Sequence, residues 1–296
     1  MALKYLVTGK EGQVVRSIIE RAAEHPDIAI VTFGRPEVDF AAPETLGPAI
    51  AAVRPDIIIS AAAYTAVDQA ESEEALATAI NGEAAGALAK AAAGLGIPIV
   101  HISTDYVFDG TKTGAYVESD PVAPIGAYGR SKLAGEQAVA AATPNHAILR
   151  TAWVHSPYGK NFVKTMLRFA ADRDEMNVVA DQVGCPTSAL DIADAVLTVA
   201  GNLLKSDDAA LRGTFHLTNA GRASWAEFAT EIFRLSAERD GPSATVNPIP
   251  SSAYPTPAKR PANSRLDGSK LSSTHGVTLQ DWRPATETVV ARILEA

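Results

Sequence analysis

The chain has one cysteine, Cys185, in 296 residues, so no disulfide can form within it. That fits a reducing compartment. It has no apolar run of the roughly 18 residues a membrane helix needs, and no charged-then-apolar leader opens it. It lacks a basic excess: the net charge is −8 and the pI about 5.3, which argues against a nucleic-acid partner. It has no internal repeat. These absences leave a soluble, cytoplasmic protein as the expectation, with neither membrane nor nucleic acid as a partner. The 47% hydrophobic content is ample for one large core or two unequal ones. The alanine-rich stretches Ala84–Ala93 and Ala138–Ala142 read as helices, because alanine is the best helix former.

Strand and helix signals alternate through the first half. Tyr5–Thr8 reads as a strand, Gly9-Lys10-Glu11-Gly12-Gln13-Val14 as a glycine turn, and Val14–Ala23 as a helix. Such a turn presents free N–H groups and the positive end of a helix to a pyrophosphate. Val15 stands where a third glycine usually permits close helix–strand packing, so a slightly displaced helix is expected. A plain structural turn is the alternative. Ile28–Phe33 reads as the second strand. At its end Arg35 can stack on adenine and pair with a 2′-phosphate, or simply stand in solvent. The first reading favours NADPH over NADH. Asp39-Phe40 opens a third segment, Pro43–Val53 reads as a helix, and Pro55–Ser60 as a buried strand. Ala61-Ala62-Ala63 and Thr65 then offer small residues against which a cofactor can lie. Ile97–Ser103 is a further strand, Gly126 leads into a helix ending near Ala142, and His146–Arg150 reads as the sixth strand. This alternation predicts an α/β fold with a Rossmann-like, doubly wound parallel sheet. After Trp153 the grammar changes, and Gly241–Asn263 reads as mostly extended loop. The expected division is residues 1–155 as the dinucleotide-binding domain and 156–296 as a smaller, irregular substrate domain, with some segments returning to the first.

The chemistry-bearing stretch is His101–Gly110, read with Tyr128-Gly129-Arg130-Ser131-Lys132. Ligands of open α/β sheets bind at the C-terminal ends of strands, which is where Thr104 and Asp105 fall. Tyr128 and Lys132 are four residues apart and share a helix face. A hydroxyl, a phenol and an ammonium form a kit for proton transfer at a carbonyl. Asn81 lies in a helical stretch, where an asparagine is ordinarily just exposed.

Tyr-x-x-x-Lys opening a helix, behind a strand ending in Thr104 and an N-terminal glycine turn, resembles the extended short-chain dehydrogenase/reductase family. Ser103–Gly110, Ala61–Asp68, Tyr128–Glu136, Arg150–Val154, Asn161–Leu167 and Arg260–Asp267 resemble its nucleotide-sugar reductases over essentially the whole chain. The resemblance implies reduction at C4 of a dTDP-linked 4-keto-6-deoxy sugar by NADPH, with NADH possible, to give dTDP-L-rhamnose. It implies Thr104, Tyr128 and Lys132 as the catalytic set, with Tyr128 giving a proton to the C4 oxygen. Lys132 and an oxidised nicotinamide would lower the Tyr128 pKa. Gly9, Gly12, Gln13, Val14, Arg35, Asp39, Phe40, Ala62, Ala63, Thr65, Tyr128 and Lys132 would hold the cofactor. Thr104, Asp105, Trp153 and Arg260 would meet the substrate. Arg260 and Arg265 can bind its pyrophosphate or form interdomain ion pairs, and Asn81 can serve a proton relay or stand exposed. Some relatives build a magnesium-linked dimer from glutamates. Ser17 and Leu190 occupy two of those places here, and Glu295 does not restore the set, so no metal is expected, and a monomer or a differently built dimer is. Two rival readings are a non-catalytic NADP-binding module, as in the regulatory subunit of methionine adenosyltransferase, and a nucleotide-sugar epimerase or dehydratase.

Overall fold

A computed structural model of the chain describes residues 2–295. The elements of the first half are β1 (Leu3–Thr8), α1 (Gln13–Ala22), β2 (Ile28–Phe33), α2 (Leu46–Val53), β3 (Ile57–Ser60), α3 (Val67–Ala70), α4 (Glu74–Thr78), α5 (Ala84–Leu95), β4 (Ile99–Thr104), α6 (Ala127–Ala142) and β5 (His146–Thr151). There follow β6 (Val154–His155), α7 (Phe162–Ala170), β7 (Glu175–Val179), β8 (Val183–Gly184), β9 (Thr187–Ser188), α8 (Ala189–Lys205), β10 (Gly213–His216), β11 (Ala223–Ser224), α9 (Trp225–Ala237), β12 (Thr245–Ile249), α10 (Ser269–His275) and α11 (Trp282–Leu294).

Six strands pair in parallel, in the order β10-β5-β4-β3-β1-β2. Helices cover both faces, so the strands are apolar on both sides and alternate residues enter different cores. Tyr5, Val7, Ile57 and Ile59 pack with Ile18 of α1 and Val196 and Val199 of α8. Leu6, Ile58 and Ile148 pack the other way, with Ile50 of α2, Leu88 of α5 and Val139 of α6. A separate core, built on Val163, Leu167, Val178, Phe228, Ile232, Trp282 and Val289, belongs to the smaller lobe.

One sequence reading changes. His146–Arg150 lies in the fifth strand along the chain, because Asp39-Phe40 opens none; Phe40 instead packs edge-on against Phe33 (6.4 Å). Gly241–Asn263 is mostly loop and carries one short strand. β12 pairs in parallel with β7, and Pro248 is tolerated because this ribbon has only two strands. Beyond residue 155 some segments pack with the first core. β10 completes the main sheet beside β5, and α8 and Leu271 of α10 pack against it. The uncovered edge of β5 and the apolar face over β1 supply the reason: backbone groups and apolar area there need partners from later in the chain.

No helix among the described residues is long and apolar enough to cross a membrane.

Candidate active site

The C-terminal ends of β1, β3, β4 and β5 open into a cavity of about 680 Å³. At one end lies the glycine turn. Gly9 has φ +95°, a conformation that side chains with a Cβ rarely adopt. Val15 fills the space beside Gly9 that a third glycine would leave open, and α1 still begins at Gln13 with Gly12 as its N-cap. No side chain caps this helix, so its first N–H groups stay available to an anion. The Thr8 hydroxyl accepts the N–H groups of Ala61 and Ala62 at 2.9 and 2.8 Å, tying the small-residue run after β3 to the turn. A glycine turn, an uncapped helix and three alanines form a cradle that fits a dinucleotide.

At the other end, β4 and α6 bring the reactive groups together. Thr104, Asp105, Tyr128 and Lys132 all line the cavity, with Gly9, Gly12, Gln13, Val14, Ala62, Ala63, Thr65 and Trp153. Lys132 is buried, and its ammonium donates to the Ile102 carbonyl at 2.7 Å. Burial brings that ammonium down to about 8, against the pull of Glu136 one turn on. The Tyr128 phenol behaves differently from the sequence expectation. Burial, then the Asp105 charge, pushes it up to about 12, while the Thr104 hydroxyl pulls the other way. The ammonium expected to lower it is directed at a backbone carbonyl instead. The phenol is therefore held protonated, as a proton donor must be. Asp105 is also buried, and burial pushes its carboxyl up to about 6.

Beneath this wall lies a buried charge network. Arg150 on β5 donates to both oxygens of Glu136 on α6, at 2.9 and 2.7 Å, and Ser103 donates to the same carboxylate at 2.5 Å. Asn81 is not exposed. It sits on a π-helical turn between α4 and α5 and is 1% accessible. Its side chain accepts the Tyr64 N–H (2.8 Å) and donates to the Tyr64 carbonyl (3.1 Å) and the Ser131 hydroxyl (2.9 Å). It thus clamps the loop after β3 to the helix that carries Tyr128. Gly135 permits that approach, since a Cβ there would run into the Asn81 carbonyl.

Five expected site residues lie off the cavity wall. Arg35 is exposed and donates to both oxygens of Asp39 (2.9 and 3.0 Å), and Phe40 packs on Phe33. Arg260 donates to both oxygens of Asp68 at 3.1 and 2.8 Å, which is the ion-pair alternative rather than a free pyrophosphate ligand. Arg265 bonds Asn263 (2.7 Å) and the Thr113 carbonyl. Each guanidinium finds an acceptor remote in sequence or on an adjacent turn, a pairing that no local pattern announces.

The cavity also has lining residues the sequence reading passed over: Tyr106, Val67, Gly159 and Lys160. Tyr106 meets Tyr128 edge-on at 5.5 Å. Gly159-Lys160 belong to a loop drawn over the glycine turn, where Gln13 accepts from Ser156 (2.8 Å) and Asn161 (3.0 Å). Behind Trp153 stands Trp225, stacked at 3.5 Å, and Trp153 takes φ +48° to face it. A bulky residue in that region is strained, and such strain collects at functional sites. A helix-opening Trp225 gave no such signal. Ser17 and Leu190 are both buried, and no cluster of metal-ligating side chains occurs among the described residues.

Comparison with known proteins agrees with this geometry. Residues 3–295 match the RmlD substrate binding domain family. A dTDP-4-dehydrorhamnose reductase from Sinorhizobium fredii is 53% identical over 99% of this chain and 98% of its own. The crystal structure of a dTDP-4-dehydrorhamnose reductase from Clostridium acetobutylicum superposes with a TM-score of 0.92 at 37% identity, covering 99% of this chain and 100% of that one. One from Bacillus anthracis, in complex with NADP, gives 0.90 at 35% identity, with both chains covered in full. The chain belongs to the dTDP-4-dehydrorhamnose reductase family, within the short-chain dehydrogenase/reductase fold.

Proposed function

We propose that this protein reduces the C4 keto group of dTDP-4-dehydro-L-rhamnose to give dTDP-L-rhamnose, with NADPH as cofactor. The observation that carries the reading is one cavity with a dinucleotide cradle at one end and Thr104, Tyr128 and Lys132 at the other. NADPH, when bound, supplies a hydride. The chain's own residues handle the charge that then develops on the C4 oxygen. Tyr128, held protonated by burial, gives that oxygen its proton, and the Thr104 hydroxyl bonds the same atom. Lys132 holds the nicotinamide ribose. Gly9, Gly12, Gln13 and Val14 receive the pyrophosphate, and Ala62, Ala63 and Thr65 flank it. Asp105 and Trp153 face the sugar nucleotide. We place the enzyme in the cytoplasm, acting as a monomer or as a dimer without a metal link.

The test supplies dTDP-4-dehydro-β-L-rhamnose and follows NADPH absorbance. Oxidation that depends on the sugar is expected. Tyr128→Phe should lose turnover by about 10²-fold or more while still binding NADPH. NADPH binding without sugar-dependent oxidation by the unaltered protein would instead favour a non-catalytic module.

A further inference from the structure

A hydroxyl has one hydrogen to give and two lone pairs to offer. At Thr104 the hydrogen and one lone pair are taken, and one lone pair is left. Its hydrogen goes to Asp105 Oδ1 at 2.8 Å. One lone pair accepts the Tyr106 N–H at 3.2 Å. With Asp105 ionised, Thr104 has no hydrogen left for a carbonyl oxygen. Asp105 itself is 2% exposed, and its Oδ2 has no hydrogen-bond partner among the described residues. A buried carboxylate with a bare oxygen is poorly solvated, and that favours the neutral acid.

We propose that Asp105 sets the donor direction of the Thr104 hydroxyl: when the carboxyl is neutral its O–H donates to Thr104 Oγ1, and the Thr104 hydrogen turns to the C4 oxygen of the substrate. The inference rests on the reductase reading and deepens it. No bond is made or broken in this step. Asp105 acts through Thr104, so for this purpose it is a positioning residue, besides any contact it makes with the sugar. The titratable groups facing it are Tyr128 from α6, Tyr106 from its own turn, and the Cys185 thiol from the loop between β8 and β9. None is a cation. Arg260, which acts on Tyr106, is held by Asp68, and Arg265, which acts on Cys185, is bonded to Asn263 and the Thr113 carbonyl. A bound substrate would exclude more water from the carboxyl and favour its neutral form further.

The test is kcat at saturating sugar and NADPH between about pH 5 and pH 9. The unaltered enzyme should lose kcat as pH rises above the Asp105 inflection, near 6 or higher with substrate bound. Lys132, near 8, adds a second alkaline limb. Asp105→Asn carries an amide N–H that donates to Thr104 at every pH. It should remove the first limb, keep the second, and hold kcat near the acid plateau up to the Lys132 limb. A lost sugar contact would show in KM instead. Asp105→Ala removes the acceptor that takes the Thr104 hydrogen and should also lack the first limb. The proposal is overturned if the first limb persists in Asp105→Asn, if it is absent from the unaltered enzyme, or if Asp105→Asn is flat at the low alkaline level. NADPH binding by each variant checks that it is folded. An unaltered enzyme with no activity toward the sugar would overturn the reductase reading, and this inference with it.

Discussion

Replacing Asn81 by Ala removes three hydrogen bonds at once. The Tyr64 N–H and carbonyl and the Ser131 hydroxyl lose the partner that now meets them at 2.8, 3.1 and 2.9 Å. Each bond contributes about 0.5–1.5 kcal/mol net, and each group left buried and unpaired costs about 1–3 kcal/mol. Ser131 keeps its donation to the Tyr128 carbonyl, so the penalty falls mainly on the Tyr64 backbone. The expected loss is about 2–5 kcal/mol, read as a lower urea midpoint at unchanged m-value. Because the clamp holds the loop bearing Ala63 and Thr65, KM for NADPH should rise. Saturated kcat should stay within about tenfold of the parent, because no proton passes through a clamp. Asn81→Asp keeps the acceptor for the Tyr64 N–H but loses both donations, and should fall between the two. A stability loss under about 1 kcal/mol together with a kcat loss beyond about 10²-fold would refute the reasoning and restore Asn81 to a proton relay.

Glu136→Ala strands the buried Arg150 guanidinium, and urea unfolding should report a loss of about 3–5 kcal/mol; a loss under about 1 kcal/mol would show that the pair is not what holds β5 to α6. Lys132 falls from its ordinary 10.5 to about 8 on folding, so the unfolded chain binds the extra proton between those values. Its contribution is therefore present above the unfolded pKa and lost as pH falls through the folded one, at a cost of about 3 kcal/mol at neutral pH. Lys132→Met should be inactive yet more stable at pH 7, and should lose the rise in stability above about pH 8 that the parent shows; lower stability at pH 7 would contradict this. Gly135→Ala drives a methyl into the Asn81 carbonyl and should destabilise by about 1–3 kcal/mol, seen as a lower thermal midpoint. Arg35→Ala should lower the ratio of kcat/KM for NADPH over NADH, and an unchanged ratio would remove Arg35 from cofactor selection.

Three kinds of information were legible in the amino-acid order. Strand periodicity and glycine punctuation marked out β1 to β5, because two-faced burial demands unbroken apolar runs. The order of those runs placed Thr104 and Asp105 at strand ends, where a parallel sheet exposes side chains to a ligand. The spacing of Tyr128 and Lys132 put both on one helix face. Contacts between distant segments left no such mark. That Asn81 is buried depends on Gly135, 54 positions on, admitting its carbonyl. That Arg260 faces Asp68 depends on a loop returning to the first domain. Whether Tyr128 is acidified or held protonated depends on burial and on the Asp105 charge, and only the fold supplies both. Local pattern determined the elements and the reactive trio, because those follow from steric periodicity along one chain. Tertiary structure decided the charge states and partners, because burial and pairing are set by groups the chain brings together only when it closes.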